Sequence, residues 1–112
     1  MLQIVFPSNE NLSYISKVNA TFQNSRYLIV LDITGQNITG VDMIENPNYY
    51  SKDKLLQTCL DKKFKVLIIP ENDNLNIKEF KEKGINIYKA ENKKKKVLNI
   101  FSDYVQDKLI KV

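Results

Sequence analysis

The chain has 112 residues, of which 43% are hydrophobic, and its formal charge is +4 from 17 basic and 13 acidic side chains. A chain of this length and composition is expected to form a single domain, residues 1–112, and not a disordered segment. It contains no histidine and a single cysteine, Cys59. These counts exclude an internal disulfide, the usual Cys/His zinc sites and catalysis by a histidine or a histidine-containing triad.

The distribution of apolar and basic residues bears on location and partners. No stretch approaches the roughly 18 apolar residues that span a bilayer, and residues 1–7 lack the basic segment of a signal peptide. We therefore expect a cytoplasmic protein without membrane contact. Arg26 is the only arginine, whereas base and phosphate recognition favours arginine, so nucleic acid is not expected as a partner.

The beginning of the chain predicts a strand and a polar loop. Residues 2–6 are almost wholly apolar and predict the first strand. Pro7 is expected to end it, because proline cannot donate to a ladder. Residues 8–17 predict a polar loop, and residues 18–25 predict an irregular segment or one helical turn.

Two further strands are predicted at residues 27–32 and 38–44. The segment between them is short and contains Gly35, so these strands are expected to form an antiparallel hairpin. Residues 38–44 alternate only partly between apolar and polar side chains, which is typical of a strand near a sheet edge.

A first helix is predicted after this hairpin. Ser51 is a suitable N-cap, and Asp53 in the first turn complements the positive end of the helix dipole. The apolar face consists of Leu55, Leu56, Cys59 and Leu60. Cys59 is therefore interpreted as a small buried residue and not as a reactive thiol, since no histidine is available to activate it.

Residues 65–69 form a short, continuous apolar run that Pro70 follows. Because the alternation of apolar and polar residues is missing, both faces of this fourth strand are expected to be covered. Such burial is typical of a central strand with parallel neighbours in an α/β sheet. We expect the elements before and after it to supply the two covering layers.

The remainder of the chain predicts two more helices and a strand. Asn76 and Glu79 resemble a capping box at the start of the second helix, and Gly84 is expected to end it. Residues 85–88 predict the fifth strand, and residues 94–109 predict the final helix. The predicted fold is α/β, with a mixed five-stranded sheet, built from a hairpin and parallel strands, between helices on its faces.

Several segments together are similar to one known family. They are residues 4–7, Ser16-Lys17-Val18 with Phe22, residues 27–32, Glu45-Asn46-Pro47 and residues 84–88. In order and spacing they resemble the dinitrogenase iron–molybdenum cofactor biosynthesis family, the small nitrogenase accessory domains. The resemblance implies a ribonuclease-H-like fold and a non-enzymatic protein that binds or carries a metal-containing or anionic ligand. The implied cofactor is an iron–sulfur or iron–molybdenum precursor.

The chain departs from that family at two places. The family commonly has His-Phe-Gly-Arg before its second strand, where residues 21–24 of this chain are Thr-Phe-Gln-Asn. A glycine-rich loop commonly follows the fourth strand, where residues 70–73 are Pro-Glu-Asn-Asp. Two hypotheses remain: a ligand-binding domain, and a divergent member that acts as a protein-interaction module without a ligand, for example through an exposed edge strand.

A ligand site is expected beyond the carboxyl ends of the parallel strands, as in other open α/β sheets. The candidate ligand-binding residues are Asn9, Thr21, Asn24, Asn72, Asp73, Lys93 and Lys94. Residues 93–96 are four consecutive lysines at the start of a predicted helix, where they oppose the helix dipole. They form either an anion site or a solvated face. No catalytic or metal-ligating residue is predicted.

Overall fold

The computed structural model describes residues 2–47, 54–71, 73, 75–90 and 95–112. In chain order its elements are β1 (Leu2–Ser8), the 3-10 helix η1 (Ser13–Ile15), β2 (Tyr27–Thr34), β3 (Asn37–Glu45), α1 (Leu55–Lys62), β4 (Val66–Ile69), α2 (Ile77–Glu82), β5 (Asn86–Lys89), α3 (Val97–Val105) and β6 (Ile110–Lys111). The predicted cap of the first helix, Ser51 with Asp53, lies outside the described residues. No helix in the described part of the chain is long and apolar enough to cross a membrane.

The described strands form one six-stranded sheet in the order β3-β2-β1-β4-β5-β6. β2 is antiparallel to both β1 and β3, so the predicted hairpin and the edge position of its second strand are confirmed. β4 lies between β1 and β5 and is parallel to both. All four residues of β4 are buried, which confirms the prediction of a central strand with two covered faces.

Alternate residues of β4 enter two separate hydrophobic clusters. Val66 and Ile68 belong to the cluster that α3 covers, and Leu67 and Ile69 belong to the cluster that α1 and α2 cover. Cys59 is fully buried in the second cluster, which confirms its interpretation as a core residue. The mixed α/β sheet with helices on both faces is therefore as predicted.

The predicted strand count of five is wrong, because the final helix is shorter than its sequence pattern suggests. α3 ends at Val105, and Asp107 adopts a left-handed conformation with a φ of 60°. Lys108 N then donates to Asp103 O at 2.9 Å, which satisfies a free carbonyl at the helix end. The chain reverses there, and β6 pairs antiparallel with β5.

The first strand also continues past Pro7, contrary to the prediction. Pro7 pairs with Leu28 of β2. Asn46 N donates to Arg26 O across the β2–β3 ladder, so the main-chain groups of Leu28, two residues along, point to β3 and not to β1. Pro7 therefore has no hydrogen bond to give to β2, and the pairing of β1 with β4 is confined to Ile4 and Val5.

Like α3, the helices α1 and α2 are each followed by a residue in the left-handed conformation, but that residue differs. At the end of α2, Gly84 has a φ of 82° and Ile85 N donates to Phe80 O at 3.1 Å. At the end of α1, Lys63 has a φ of 59° and Phe64 N donates to Cys59 O at 2.9 Å. Glycine takes this conformation without a Cβ penalty, whereas lysine does not. The predicted cap of α2 is also present, since Asn76 Oδ1 accepts from Glu79 N.

The substitution Lys63→Gly is expected to raise the free energy of unfolding by about 0.5–1 kcal/mol, because it removes the left-handed strain at the end of α1. Gly84→Ala is the matched opposite change and is expected to lower it by about 1 kcal/mol. A Cβ at Gly84 would meet no atom within 4 Å, so its effect is that of the backbone alone. Urea unfolding followed by circular dichroism measures both, and a Lys63→Gly variant less stable than the wild type would contradict the assignment.

Candidate functional site

The carboxyl ends of β1, β4 and β5 lie at one edge of the sheet because these strands are parallel. We call this the carboxyl edge. The chain leaves this edge after Ser8 at the end of β1, after Ile69 at the end of β4 and after Lys89 at the end of β5. Ligands of open α/β sheets bind at such an edge, so its polar groups are the candidates for a ligand site.

The loop after β1 is held by its own polar side chains. Asn9 Oδ1 accepts a hydrogen bond from Arg26 N at 2.9 Å. Ser8 Oγ donates to Lys17 O at 2.6 Å, and Glu10 Oε1 accepts from Lys17 N at 2.8 Å. The amide oxygen of Asn9, a predicted ligand group, therefore serves to attach this loop to the start of β2.

Residues 21–24 form a turn beside this loop. Thr21 O accepts hydrogen bonds from Asn24 N at 3.1 Å and from Ser25 N at 2.8 Å. Phe22, within the turn, is fully buried in the core. Thr21 Oγ1 is buried and has no hydrogen-bond partner among the described residues, and Asn24 is exposed. Thr21 and Asn24, both predicted to bind a ligand, thus lie on one turn.

Asn46 attaches the end of β3 to that turn. Its Nδ2 donates to Phe22 O at 2.6 Å and to Ser25 O and Ser25 Oγ at 2.9 Å each. Asn46 and Ser25 are both fully buried, and buried polar groups are stable only when they are hydrogen-bonded. Residues 45–47 are one of the segments that resemble the family, and their asparagine has this structural role here.

Asp73 joins the loop after β4 to the same turn. Its Oδ2 accepts from Phe22 N at 2.9 Å, and its Oδ1 accepts from Leu75 N at 3.0 Å. Burial raises the pKa of Asp73, and the two N–H donors partly oppose this rise. The structure therefore brings Asp73 to the turn of Thr21 and Asn24, as the strand-end argument predicts, but both of its carboxylate oxygens already accept hydrogen bonds.

The segment before α3 pairs with the loop after β1. Val18 N donates to Lys95 O at 3.0 Å, and Val97 N donates to Ser16 O at 2.8 Å. Lys95 Nζ lies 3.2 Å from Asp103 Oδ2 on α3. This ion pair directs the Lys95 side chain along α3.

A cavity of about 330 Å³ opens at the carboxyl edge between β5 and α3. Its charged lining consists of Lys89, Lys95, Lys108, Glu71 and Asp103. We call it the lysine cavity. Among the described residues of this lining, Lys95 pairs with Asp103, which leaves two lysines, Lys89 and Lys108, and one carboxylate, that of Glu71. The described part of the lining therefore carries a net positive charge at neutral pH.

The predicted ligand-binding residues and the residues that line the lysine cavity are different, and they share only their location at the carboxyl edge. Asn9, Thr21, Asn24 and Asp73 lie at the carboxyl edge, and Asn72, Lys93 and Lys94 lie outside the described residues. Lys89 and Lys108 were not predicted. Lys89 is the last residue of β5, so the strand-end rule could have identified it. Lys108 follows a helix end that the sequence did not signal.

Metal ligation finds no support in the described part of the chain. No group of three or more Asp, Glu, Cys or His side chains there could hold a metal ion. Burial raises the pKa of the Cys59 thiol from 9.0 to about 12, which disfavours the thiolate that metal binding requires.

No family model matches the sequence, and no curated protein is significantly similar to it. Solved structures do match in fold. The orange protein of Desulfovibrio gigas, in its apo form, has a TM-score of 0.79 at 12% identity, over 100% of this chain and 93% of its own. The match is therefore one of structure along essentially the whole chain.

Two further structures with this fold are nitrogenase-related by their descriptions. A Thermotoga protein provisionally assigned as a NifB protein of the DUF35 family has a TM-score of 0.77 at 19% identity, over 99% of this chain and 93% of its own. A Methanocaldococcus jannaschii protein provisionally assigned as a dinitrogenase has a TM-score of 0.72 at 17% identity, over 99% and 94% of the two chains. At these identities the likeness shows a shared fold. The resemblance drawn from the sequence therefore holds for the fold, and only loosely for the family.

The Cys59 thiol is expected to react with a disulfide reagent only after unfolding. The rise of its pKa from 9.0 to about 12 lowers the thiolate fraction near pH 8 about a thousandfold. Because the pKa is higher in the folded state, the stability contribution of the protonated thiol is lost as the pH rises from about 9 to 12. Labelling rates at pH 8 with and without urea measure this, with Cys59→Ala as the unreactive control. Rapid labelling of the folded protein would contradict it.

The substitution Asn46→Ala is expected to lower the free energy of unfolding by roughly 2–4 kcal/mol, because it leaves Ser25 and two carbonyl oxygens buried without their donor. Asn46→Asp should be worse at pH 7, since a carboxylate would face those oxygens, and should recover part of the loss at pH 4, where the carboxyl is protonated. Thermal unfolding at both pH values measures these effects. If the stability of the Asn46→Asp variant were the same at both pH values, the amide of Asn46 would not have this role.

Proposed function

We propose that this protein is a non-catalytic α/β domain that binds a small anionic ligand in the lysine cavity. The observation that carries the proposal is the surplus of lysines over acidic residues among the described residues that line that cavity. The volume of about 330 Å³ is at the lower end of the range of small-molecule sites, which suits a compact oxyanion or a small anionic cofactor precursor.

The ion pair within the lining supports a binding role for the other lysines. Asp103 neutralises Lys95 at 3.2 Å and fixes one wall of the cavity. Lys89, on β5, and Lys108, in the reversal before β6, approach from two different elements. Each ammonium offers three donors and a compact charge, so in this proposal the two lysines would bind one oxyanion together.

The fold supports a link with cofactor handling. The hairpin followed by parallel strands, in the order β3-β2-β1-β4-β5-β6, supports the ribonuclease-H-like fold that the family resemblance implies, and that fold is part of this proposal. Neighbours described as NifB and dinitrogenase proteins favour a role beside nitrogenase cofactor biosynthesis. In this proposal the ligand is a cargo that the domain holds without converting it.

The donor set does not fit direct ligation of an iron–sulfur or iron–molybdenum precursor. Such clusters are held mainly by cysteine thiolates and histidine, and the sequence has no histidine and one cysteine, which is buried. A metal-containing ligand would therefore be bound here through its anionic oxygens or sulfurs and the lysine ammonium groups.

The alternative function is a protein-interaction module without a ligand. The family histidine is replaced by Thr21, and the glycine-rich loop by residues 70–73. Asn9 and Asp73, which could have compensated, are used within the protein. The anion-binding experiment distinguishes the two functions.

The wild-type protein is expected to bind molybdate, sulfate or phosphate, measured by isothermal titration calorimetry at low ionic strength. The double substitution Lys89→Gln with Lys108→Gln should weaken binding at least about tenfold, because it removes two donors and two charges from the site. The Lys95–Asp103 pair is left intact so that the wall of the cavity is kept.

The matched control is Lys78→Gln with Lys81→Gln on the exposed side of α2, which changes the net charge equally at a distance from the cavity. This variant should bind as the wild type does. Equal weakening in both variants would mean that binding is a general charge effect. Absence of binding by the wild type would favour the interaction module instead.

A further inference from the structure

The edge strand β3 presents an unpaired ladder. It has nine residues, and no described strand pairs with its outer side. Natural edge strands are usually shielded by lysine, proline, a bulge or short length. The other edge, β6, has two residues, but β3 contains neither lysine nor proline, although the chain is rich in lysine. The pairing of β3 with β2 shifts register between Asp32 and Ile33, but this irregularity affects only the end of β3 near the hairpin turn.

The direction of the free main-chain groups follows from the β2–β3 register. Asn46 N donates to Arg26 O at 2.9 Å, and in an antiparallel ladder the residues alternate between facing the partner strand and facing away. Ile44 and Asp42 therefore bond to β2. The N–H and C=O groups of Val41, Met43 and Glu45 point away from the sheet.

An apolar patch accompanies this free edge. Met43 is 40% exposed, and the neighbouring Leu12, Tyr14 and Ile15 are 54%, 42% and 49% exposed. Ser13 N lies 3.0 Å from Met43 Sδ, so η1 lies directly beside the centre of the free segment. A free ladder beside exposed apolar side chains is the combination that a strand-pairing partner would cover.

Two copies of β3 can pair antiparallel without placing like charges opposite each other. In an antiparallel pair of two copies with the twofold axis at Met43, Val41 lies opposite Glu45, Asp42 lies opposite Ile44, and Met43 lies opposite its own copy. No like charges meet in this register. An axis one residue earlier would place Asp42 opposite Asp42, which is unfavourable. The register around Met43 thus avoids the like-charge contact of the register around Asp42, and it is compatible with a second copy of this chain as the partner.

We propose that β3 pairs antiparallel with β3 of a second copy around Met43, which makes one continuous sheet through the dimer. The twofold axis places the η1 segments of both copies next to it, on the same face of the sheet as Met43. The paired segment spans only residues 41–45, so the interface is small. Interfaces at the low end of the size range are weak and transient, so we expect a dimer that dissociates on dilution.

Sedimentation velocity over a range of concentrations tests the proposal. Met43→Lys and Met43→Glu should each raise the dissociation constant at least about tenfold, because like charges would face each other across the axis. An equimolar mixture of the two variants should form a heterodimer, since lysine then lies opposite glutamate. This rescue depends on the axis passing through residue 43, and a mixture that stays monomeric would overturn the register.

Two controls separate pairing from folding. Glu45→Pro removes an outward N–H without removing a bond to β2, and should abolish dimers while the circular dichroism spectrum stays unchanged. Leu60→Lys makes an apolar-to-charged change at another exposed position, 37% exposed on α1, and should dimerise as the wild type does. A wild type that is monomeric at several hundred micromolar, or a Leu60→Lys variant that dissociates equally, would overturn the proposal.

Discussion

The burial of β4 on both faces is the constraint on which the rest of the structure depends. Its four apolar residues contribute alternately to two clusters, and burying each such side chain stabilises the fold by roughly 1.5–3 kcal/mol. A strand without a solvent face needs a neighbour on each side and a helical layer above and below. β1 and β5 supply the parallel neighbours, α3 supplies one layer, and α1 with α2 supplies the other. Because these three strands are parallel, their carboxyl ends lie at the same edge of the sheet.

The polar groups at that edge are divided between holding the loops and facing solvent. A loop that packs against the core must satisfy the main-chain groups it buries. Asn9, Asn46 and Asp73 do so for three different segments. A polar side chain near the end of a parallel strand therefore indicates either a ligand-binding group or a group that holds a loop in place. In this chain several such side chains hold loops, and the excess positive charge comes from lysines of β5 and of the turn before β6.

The two proposed surfaces are at opposite ends of the sheet. The lysine cavity lies by β5 and β6, whereas the free edge is β3, at the other end of the strand order. Pairing through β3 would leave the cavity open in both copies. The two proposals are thus physically independent, and a substitution at Met43 should not change the charge around Lys89 and Lys108.

The sequence by itself determined the α/β class, the hairpin, the buried central strand, the parallel crossover and the core position of Cys59. Each follows from local pattern: apolar period, turn residues and the proline or glycine that bounds an element. It also determined that histidine chemistry is impossible. Tertiary structure alone decided where α3 ends and that a sixth strand follows. The chain turns at Asp107 in the left-handed conformation, which glycine usually occupies, so nothing in the sequence indicated the turn. It also decided the structural roles of Asn9, Asn46 and Asp73 and the presence of Lys89 and Lys108 in the lining of one cavity. Those features depend on contacts between segments that are distant in the chain, and the spacing of residues within one segment does not predict such contacts.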